Sequence, residues 1–226
     1  MRSDRILFTS EGIAIHPQKV HDEISRFRKD YIETTHKIIQ YSGELDRNGE
    51  VFTKCASLIL SNFGMTRTGP FKKDENIKAR LLNCWDEVGD SLIDIKSSML
   101  QSGLSRDRFL LELDQNKREE LIAEIWIIMK QLLPFTMGET TFGLVGASKI
   151  LFSVLPEIVL PIDNKQWLNV FKTVDIGDVI KWMISDIQRW ENATGEMLNE
   201  MDYSRRLTTL PSVYNVMAMA ARPKNV

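Results

Sequence analysis

Apolar residues in the first half of the chain recur every three to four positions, which is the period of a helix buried along one face. Pro17 suits the first turn of a helix, and the apolar face that follows it continues until Gly43. The clearest stripe steps by threes and fours from Ile77 and ends at Gly103. The pattern predicts three amphipathic helices, over residues 17–43, 49–63 and 77–103.

The second half of the chain repeats this period in shorter segments. Residues 117–133 leave little polar face, so we expect this helix to be the central and mostly buried one. Asp175 is placed to cap the N-terminus of a helix that Gly195 ends. The further helices are predicted over residues 106–113, 147–155, 165–171, 176–192 and 210–221.

Only the N-terminal segment, residues 1–15, has an extended pattern. Residues 5–8 and 13–15 flank a turn at residues 10–12, which predicts a small β-hairpin. The C-terminal residues 222–226 are expected to fray. The prediction for the fold is a single all-α domain over residues 1–226, with about eight to ten helices.

Composition and charge narrow the functional classes. The 29 basic and 31 acidic residues nearly cancel, so no overall positive charge favours a nucleic acid or an anionic membrane. Cys55 and Cys84, each expected as a buried and inert thiol, are too few for a disulfide framework or an iron–sulfur cluster. No apolar stretch reaches the length of a signal peptide or a membrane span. We expect a cytoplasmic protein that has no membrane partner and needs no cofactor.

Acidic residues line one face of the third predicted helix. Glu87 and Asp90 are one helical turn apart, so their oxygens can converge on Mg²⁺. Residues 85–112 resemble half of the metal-binding pattern of MazG-type nucleoside-triphosphate pyrophosphohydrolases. The resemblance implies that Glu87 and Asp90 hold a magnesium ion that activates water, although the second carboxylate pair is missing upstream. The alternative is a solvated acidic face.

A second stretch combines glycines, a short apolar helix, proline and aspartate. Gly143 and Gly146 precede the apolar segment, and Asp163 follows Pro156 and Pro161. A glycine turn at the start of a helix presents backbone N–H groups to a phosphate. Residues 143–164 resemble the helix–hairpin–helix DNA glycosylases, which are all-α enzymes that excise flipped bases.

This resemblance assigns roles to individual residues. Asp163 corresponds to the carboxylate that stabilises an oxocarbenium-like sugar or activates water. Lys149 corresponds to the lyase nucleophile after a shift of one residue, because the unshifted alignment places Ser148 there. Gly143, Gly146 and Ser148 form the implied phosphate site. The structural alternative is that the glycines end one helix and begin another, and that Asp163 or Asn164 only caps the helix at 165–171.

No complete catalytic constellation can be assembled from the sequence. The first interpretation is therefore a helical module that acts through protein contacts or self-association. Its contact surface is expected at the apolar residues 158–160 and 217–219. The alternatives are nucleic-acid binding or base excision in the manner of helix–hairpin–helix glycosylases, and Mg²⁺-dependent hydrolysis of nucleoside triphosphates.

Overall fold

Helices make up the fold, which confirms the predicted all-α class. The computed structural model describes residues 9–10, 13–14, 16–66, 71–72 and 76–222. The helices follow one another as α1 (Pro17–Ser25), α2 (Lys29–Tyr41), α3 (Glu50–Asn62), α4 (Ile77–Gln101), α5 (Phe109–Glu112), α6 (Gln115–Thr136), α7 (Thr141–Val154), a π-helix (Gln166–Phe171), α8 (Ile176–Thr194), a 3₁₀ helix (Leu198–Met201) and α9 (Leu210–Ala220).

The N-terminal hairpin prediction falls largely outside the described residues. Two strands of two residues, β1 (Thr9–Ser10) and β2 (Ile13–Ala14), pair antiparallel. The predicted first strand at 5–8 and most of the predicted turn are not described, and neither are residues 223–226 of the C-terminal tail. The hairpin therefore stays a prediction.

The helix predicted over residues 17–43 is divided in two, so its continuity is wrong. Arg28 has a polyproline-like backbone, with φ −55° and ψ 120°, and this conformation separates α1 from α2. Asp30 holds the break, since its carboxylate accepts hydrogen bonds from the Arg28 guanidinium and from the Tyr31 N–H. Because of the break, α1 packs against α9 whereas α2 packs against α3 and α7.

Helix α7 is the most deeply buried helix and contacts both α3 and α6. Every residue from Gly143 to Val154 is buried. Helix α6, expected to be the mostly buried centre, instead keeps a solvent face on which Ile127 is 54% exposed. The expectation that α6 is mostly buried is wrong, because its apolar side chains outnumber the positions that α4, α7 and α8 cover and some of them, such as Ile127, stay in contact with solvent.

Two glycines allow close packing around α7. A Cβ atom at Gly143 would lie 2.0 Å from the carbonyl oxygen of Gly138, and one at Gly146 would lie 3.0 Å from the Thr136 Cγ2. The Thr136 hydroxyl also donates a hydrogen bond of 3.0 Å to the Gly143 carbonyl. The two glycines therefore serve contacts between α7 and the end of α6.

The apolar segments expected at the surface belong to the core, so that expectation is wrong. Residues 158–160 are fully buried, and so are Met217 and Ala218, while Met219 is partly buried. The reason is the tight turn after α7, in which the Leu155 carbonyl accepts the N–H groups of residues 158 and 159 at 3.0 Å. This turn keeps the segment inside the core, and the predicted contact surface is lost.

Both cysteines are buried free thiols, as expected. Burial raises the pKa of Cys55 to about 11 and the pKa of Cys84 to about 12. Both thiols are therefore protonated at neutral pH, and a protonated buried thiol is a poor nucleophile and a poor metal ligand. Neither cysteine enters the site described below.

Candidate active site

A cavity of about 130 Å³ opens where five parts of the fold meet. The start of α2, the end of α3, the middle of α7, the segment that leads into the π-helix and the end of α9 all contribute to it. The polar lining consists of Arg28, Asp30, Asn62, Lys149, Asp163, Gln166 and Arg222. The rest of the lining consists of Tyr31, Phe63, Pro161 and Met219. We call this cavity the Lys149–Asp163 pocket.

Lys149 reaches the pocket from the buried helix α7, and the residue is 5% exposed. Its ammonium donates a hydrogen bond of 3.1 Å to the Phe63 carbonyl at the end of α3 and lies 5.8 Å from the centre of the Phe63 ring. Burial lowers the pKa of Lys149 to about 8, against the opposing effect of the Asp163 carboxylate. The lowered pKa increases the share of the Lys149 amine that is neutral near pH 7, and the neutral form is the one that acts as a nucleophile.

Asp163 holds the start of the π-helix and also lines the pocket. Its Oδ1 accepts the Gln166 N–H at 2.8 Å, and the Gln166 side-chain oxygen accepts the Asp163 N–H at 2.8 Å. The capping role proposed as the structural alternative is thus present in the geometry. The second oxygen, Oδ2, forms an ion pair with Arg222, which follows α9. Asp163 therefore combines a structural contact with a carboxylate that lines the cavity.

A chain of buried hydrogen bonds runs from Gln166, the capping partner of Asp163, into the core. The Gln166 side-chain amide donates to the Asn215 Oδ1 at 2.8 Å, and the Asn215 amide donates to the Tyr31 hydroxyl at 2.6 Å. Gln166 and Asn215 have no exposed surface, and Tyr31 is 5% exposed. Burial raises the pKa of Tyr31, so the hydroxyl stays protonated. This chain joins α2, α9 and the π-helix around the carboxylate.

The sequence arguments missed the side chains that complete the pocket. Asn215 stands inside the apolar run of α9. A polar residue at such a position is a signal of a buried hydrogen-bond network, and it could have identified Asn215. Gln166 follows Asn164 and Lys165, so its burial has no such signal in the sequence. Arg28 and Arg222 carry no comparable signal, because isolated arginines usually lie on a solvated surface.

The structure brings together only part of the residues predicted from the glycosylase resemblance. Lys149 and Asp163 line one pocket, but the glycine turn is not formed, because α7 begins at Thr141 with Thr140 as its cap. The Thr140 hydroxyl accepts the Gly143 N–H at 3.1 Å, so this N–H is not presented to a ligand. Gly146 lies inside the same helix.

Ser148 does not form a phosphate site either. It is fully buried, and its hydroxyl lies 3.1 Å from the Val145 carbonyl and 3.2 Å from the Ile162 carbonyl, both of which can accept its proton. The phosphate site predicted at Gly143, Gly146 and Ser148 is therefore wrong in its geometry. Its residues serve the packing and internal hydrogen bonding of α7.

The acidic pair predicted to hold magnesium lies on the solvent face of α4. Glu87 and Asp90 are both exposed. In the described part of the chain, no group of three or more histidine, cysteine, aspartate or glutamate side chains is arranged to hold a metal ion. The alternative of a solvated acidic face matches this geometry, and we do not carry the magnesium site further.

Comparison with known proteins adds no assignment. No protein-family model, curated protein or solved structure matches this chain. Within the described residues, no single helix combines the length and the apolar composition needed to cross a membrane. Only α6 and α7 meet that test as a pair, bent by 119°.

Proposed function

We propose that the Lys149–Asp163 pocket is the active site of an enzyme that removes a base from a nucleotide extruded from DNA. The observation that carries the proposal is that Lys149 and Asp163 line the same cavity. The lysine has a lowered pKa, and the aspartate supplies a carboxylate. These are the two residues to which the resemblance to helix–hairpin–helix glycosylases assigns chemistry. The other predicted parts of that resemblance do not contribute.

The reaction follows from the two side chains. The neutral Lys149 amine attacks C1′ of the sugar, and the base leaves with the electron pair of the broken C1′–N bond and takes a proton from solvent. The proton lost by the lysine nitrogen passes to the Asp163 carboxylate. The C1′–O4′ bond of the sugar ring then opens, O4′ keeps the bonding electron pair and takes the proton from Asp163, and a protonated imine remains between Nζ and C1′. Water hydrolyses this imine to release the sugar aldehyde and the amine.

The lining of the pocket supports an extruded nucleotide as substrate. The rings of Tyr31 and Phe63 stack with centres 4.8 Å apart, and the partly buried Phe63 ring, backed by Tyr31, offers a surface for a flipped base. Arg28 and Arg222 pair with the pocket carboxylates, and together with Lys149 the cations of the lining outnumber these carboxylates by one, which favours a phosphate. The cavity of about 130 Å³ is slightly smaller than the roughly 150 Å³ that accepts benzene, so it excludes a two-ring purine and is closest in size to a base with one ring.

The test is reductive trapping on a DNA duplex that carries an abasic site. Borohydride reduces an imine between Lys149 and the sugar, so we expect a covalent adduct with the wild-type protein. Lys149→Arg keeps the positive charge but removes the nucleophile, and it is expected to abolish the adduct. Lys181→Gln, at an exposed lysine of α8, is the matched control and is expected to leave the adduct unchanged.

Asp163→Asn separates the chemical role from the capping role. We expect this variant to bind abasic DNA with unchanged affinity and to lose base excision. Asparagine caps a helix about as well as aspartate, so the stability cost is at most about 1 kcal/mol and comes from the lost ion pair with Arg222. An adduct of equal yield with Lys149→Arg would contradict the proposal. Absence of both adduct and DNA binding at low salt would contradict it as well.

A further inference from the structure

A second cavity, of about 110 Å³, lies between the end of α4, the loop before α5 and Gly43. The charged residues Lys96, Arg106 and Glu157 form one part of its lining, which we call the charged wall. The apolar residues Met99, Leu100, Leu104 and Phe109 form a second part, which we call the apolar wall. None of these residues lines the Lys149–Asp163 pocket, so the second cavity is independent of the proposed function.

The charges in the charged wall do not balance. The Glu157 side chain has no exposed surface, and its two oxygens accept hydrogen bonds from the Lys96 ammonium, at 2.9 Å, and from the Arg106 Nε. Two cations thus share one carboxylate. Asp107, which follows Arg106, has a hydrogen bond with Thr208 and an electrostatic interaction with Arg106, and it does not line the cavity. Among the residues that line the cavity, the cations therefore outnumber the carboxylates by one.

Lys96 and Arg106 have more N–H donors than the hydrogen bonds they make within the protein. An ammonium carries three N–H groups and a guanidinium carries five. Glu157 accepts one from each residue, and the Ser42 hydroxyl accepts one more from Arg106 at the long distance of 3.4 Å. An anion in the cavity can therefore receive hydrogen bonds from both Lys96 and Arg106. Such bonds between ionised groups are the strong ones.

We propose that this cavity binds a short-chain monocarboxylate of two to four carbons. One negative charge matches the one cation in excess in the charged wall, and the alkyl chain matches Met99, Leu104 and Phe109. The volume of about 110 Å³ is below the roughly 150 Å³ that accepts benzene, which limits the ligand to a few heavy atoms. Inorganic phosphate has no apolar part and leaves the apolar wall unused.

The experiment is a titration of the full chain with sodium butyrate by isothermal calorimetry at constant ionic strength. Butyramide, which has the same shape without the charge, is the matched ligand and is expected to bind at least about tenfold more weakly. The Arg106 side chain is 37% exposed, so Arg106→Gln removes one cation at a partly solvated position. It is expected to weaken butyrate binding by at least about tenfold.

A second pair of variants keeps the test independent of the buried ion pairs. Leu100 is 58% exposed at the cavity, so Leu100→Glu adds a repelling carboxylate without disturbing the core. We expect Leu100→Glu to abolish butyrate binding and Leu100→Gln to retain it. Lack of saturable binding to the wild-type protein would overturn the proposal. Equal affinity for butyramide, tighter binding of phosphate, or unchanged affinity in Leu100→Glu would overturn it too.

Discussion

The Asn215 side-chain amide donates a hydrogen bond of 2.6 Å to the Tyr31 hydroxyl across 184 positions of the chain. This bond joins α9 to α2, and Gln166 extends it to the capping contact of Asp163. All three side chains in this chain of hydrogen bonds are buried. The position of the carboxylate in the pocket therefore depends on a helix that lies far from it in sequence.

Replacing Asn215 by leucine is expected to lower the free energy of unfolding by about 2 to 4 kcal/mol. The substitution leaves the Tyr31 hydroxyl and the Gln166 amide buried without their partner. Urea denaturation measures the change. Asn116→Leu, at an exposed position of α6, is the control and is expected to change stability by less than about 0.5 kcal/mol. A loss in Asn215→Leu no larger than in this control would contradict the role of the chain.

The lowered pKa of Lys149 makes stability depend on pH. The pKa is about 8 in the folded protein, against 10.5 for a fully solvated lysine, so the unfolded chain binds more protons between these values. The free-energy cost of burying the charged Lys149 amine is fully present below pH 8 and disappears as the pH rises to 10.5. Lys149→Met is therefore expected to flatten the rise in unfolding free energy over this window, by up to about 3 kcal/mol.

Urea melts of both proteins at pH 7.0 and at a pH near 10 check this sign. The gain of Lys149→Met over wild type is expected to be larger at the lower pH. Lys181→Met, at an exposed lysine, controls for general titration of surface amines. If the unfolding free energy rises with pH as steeply in Lys149→Met as in the wild type, the Lys149 amine is not desolvated.

Gly143→Ala tests whether this glycine serves packing. Alanine is favoured over glycine in a helix by about 1 kcal/mol, so without a clash the substitution would stabilise α7. The new Cβ would lie 2.0 Å from the backbone oxygen of Gly138, and we expect a loss of about 3 kcal/mol instead. Thermal and urea unfolding show whether the substitution raises or lowers the free energy of unfolding. Gly146→Ala is the milder comparison, since its Cβ would meet side-chain atoms and no backbone: Thr136 Cγ2 at 3.0 Å and Met65 Cε at 3.7 Å.

Binding of abasic DNA is expected to weaken steeply with salt, through cations gathered at the pocket. Arg28→Gln and Arg222→Gln are each expected to lower the slope of log affinity against log salt by about 1. Fluorescence anisotropy at several salt concentrations measures the slope. Arg189→Gln, at an exposed arginine of α8, is expected to leave it unchanged. Equal slopes for all three variants would place the DNA elsewhere on the protein.

The sequence predicts the helices well where one face is apolar and the other is polar. Helix α4 and the helix capped by Asp175 are found within a few residues of their predicted bounds, because their stripes are regular. The break at Arg28 is not visible in the pattern, since it depends on the local contact with Asp30 and on the different packing of α1 and α2. Helix α7 gives no period, because all its faces are buried.

For the site, the resemblance to helix–hairpin–helix glycosylases singles out Lys149 and Asp163, and both residues line one pocket. The sequence does not predict the contact of Asp163 with Arg222 or that of Tyr31 with Asn215, because these contacts join residues 59 and 184 positions apart. It also misinterprets Gly143, since a glycine that permits close packing and a glycine that exposes an N–H look alike in one sequence.

The contribution of α9 to the pocket has a consequence during synthesis of the chain. A nascent chain can form α2, α3 and α7 before α9 leaves the ribosome. At that stage Gln166 has no contact with Asn215, and Asp163 has no contact with Arg222. The pocket is therefore completed only after translation has passed Arg222, so the lysine and the carboxylate reach their final arrangement only in a chain whose last described helix has docked.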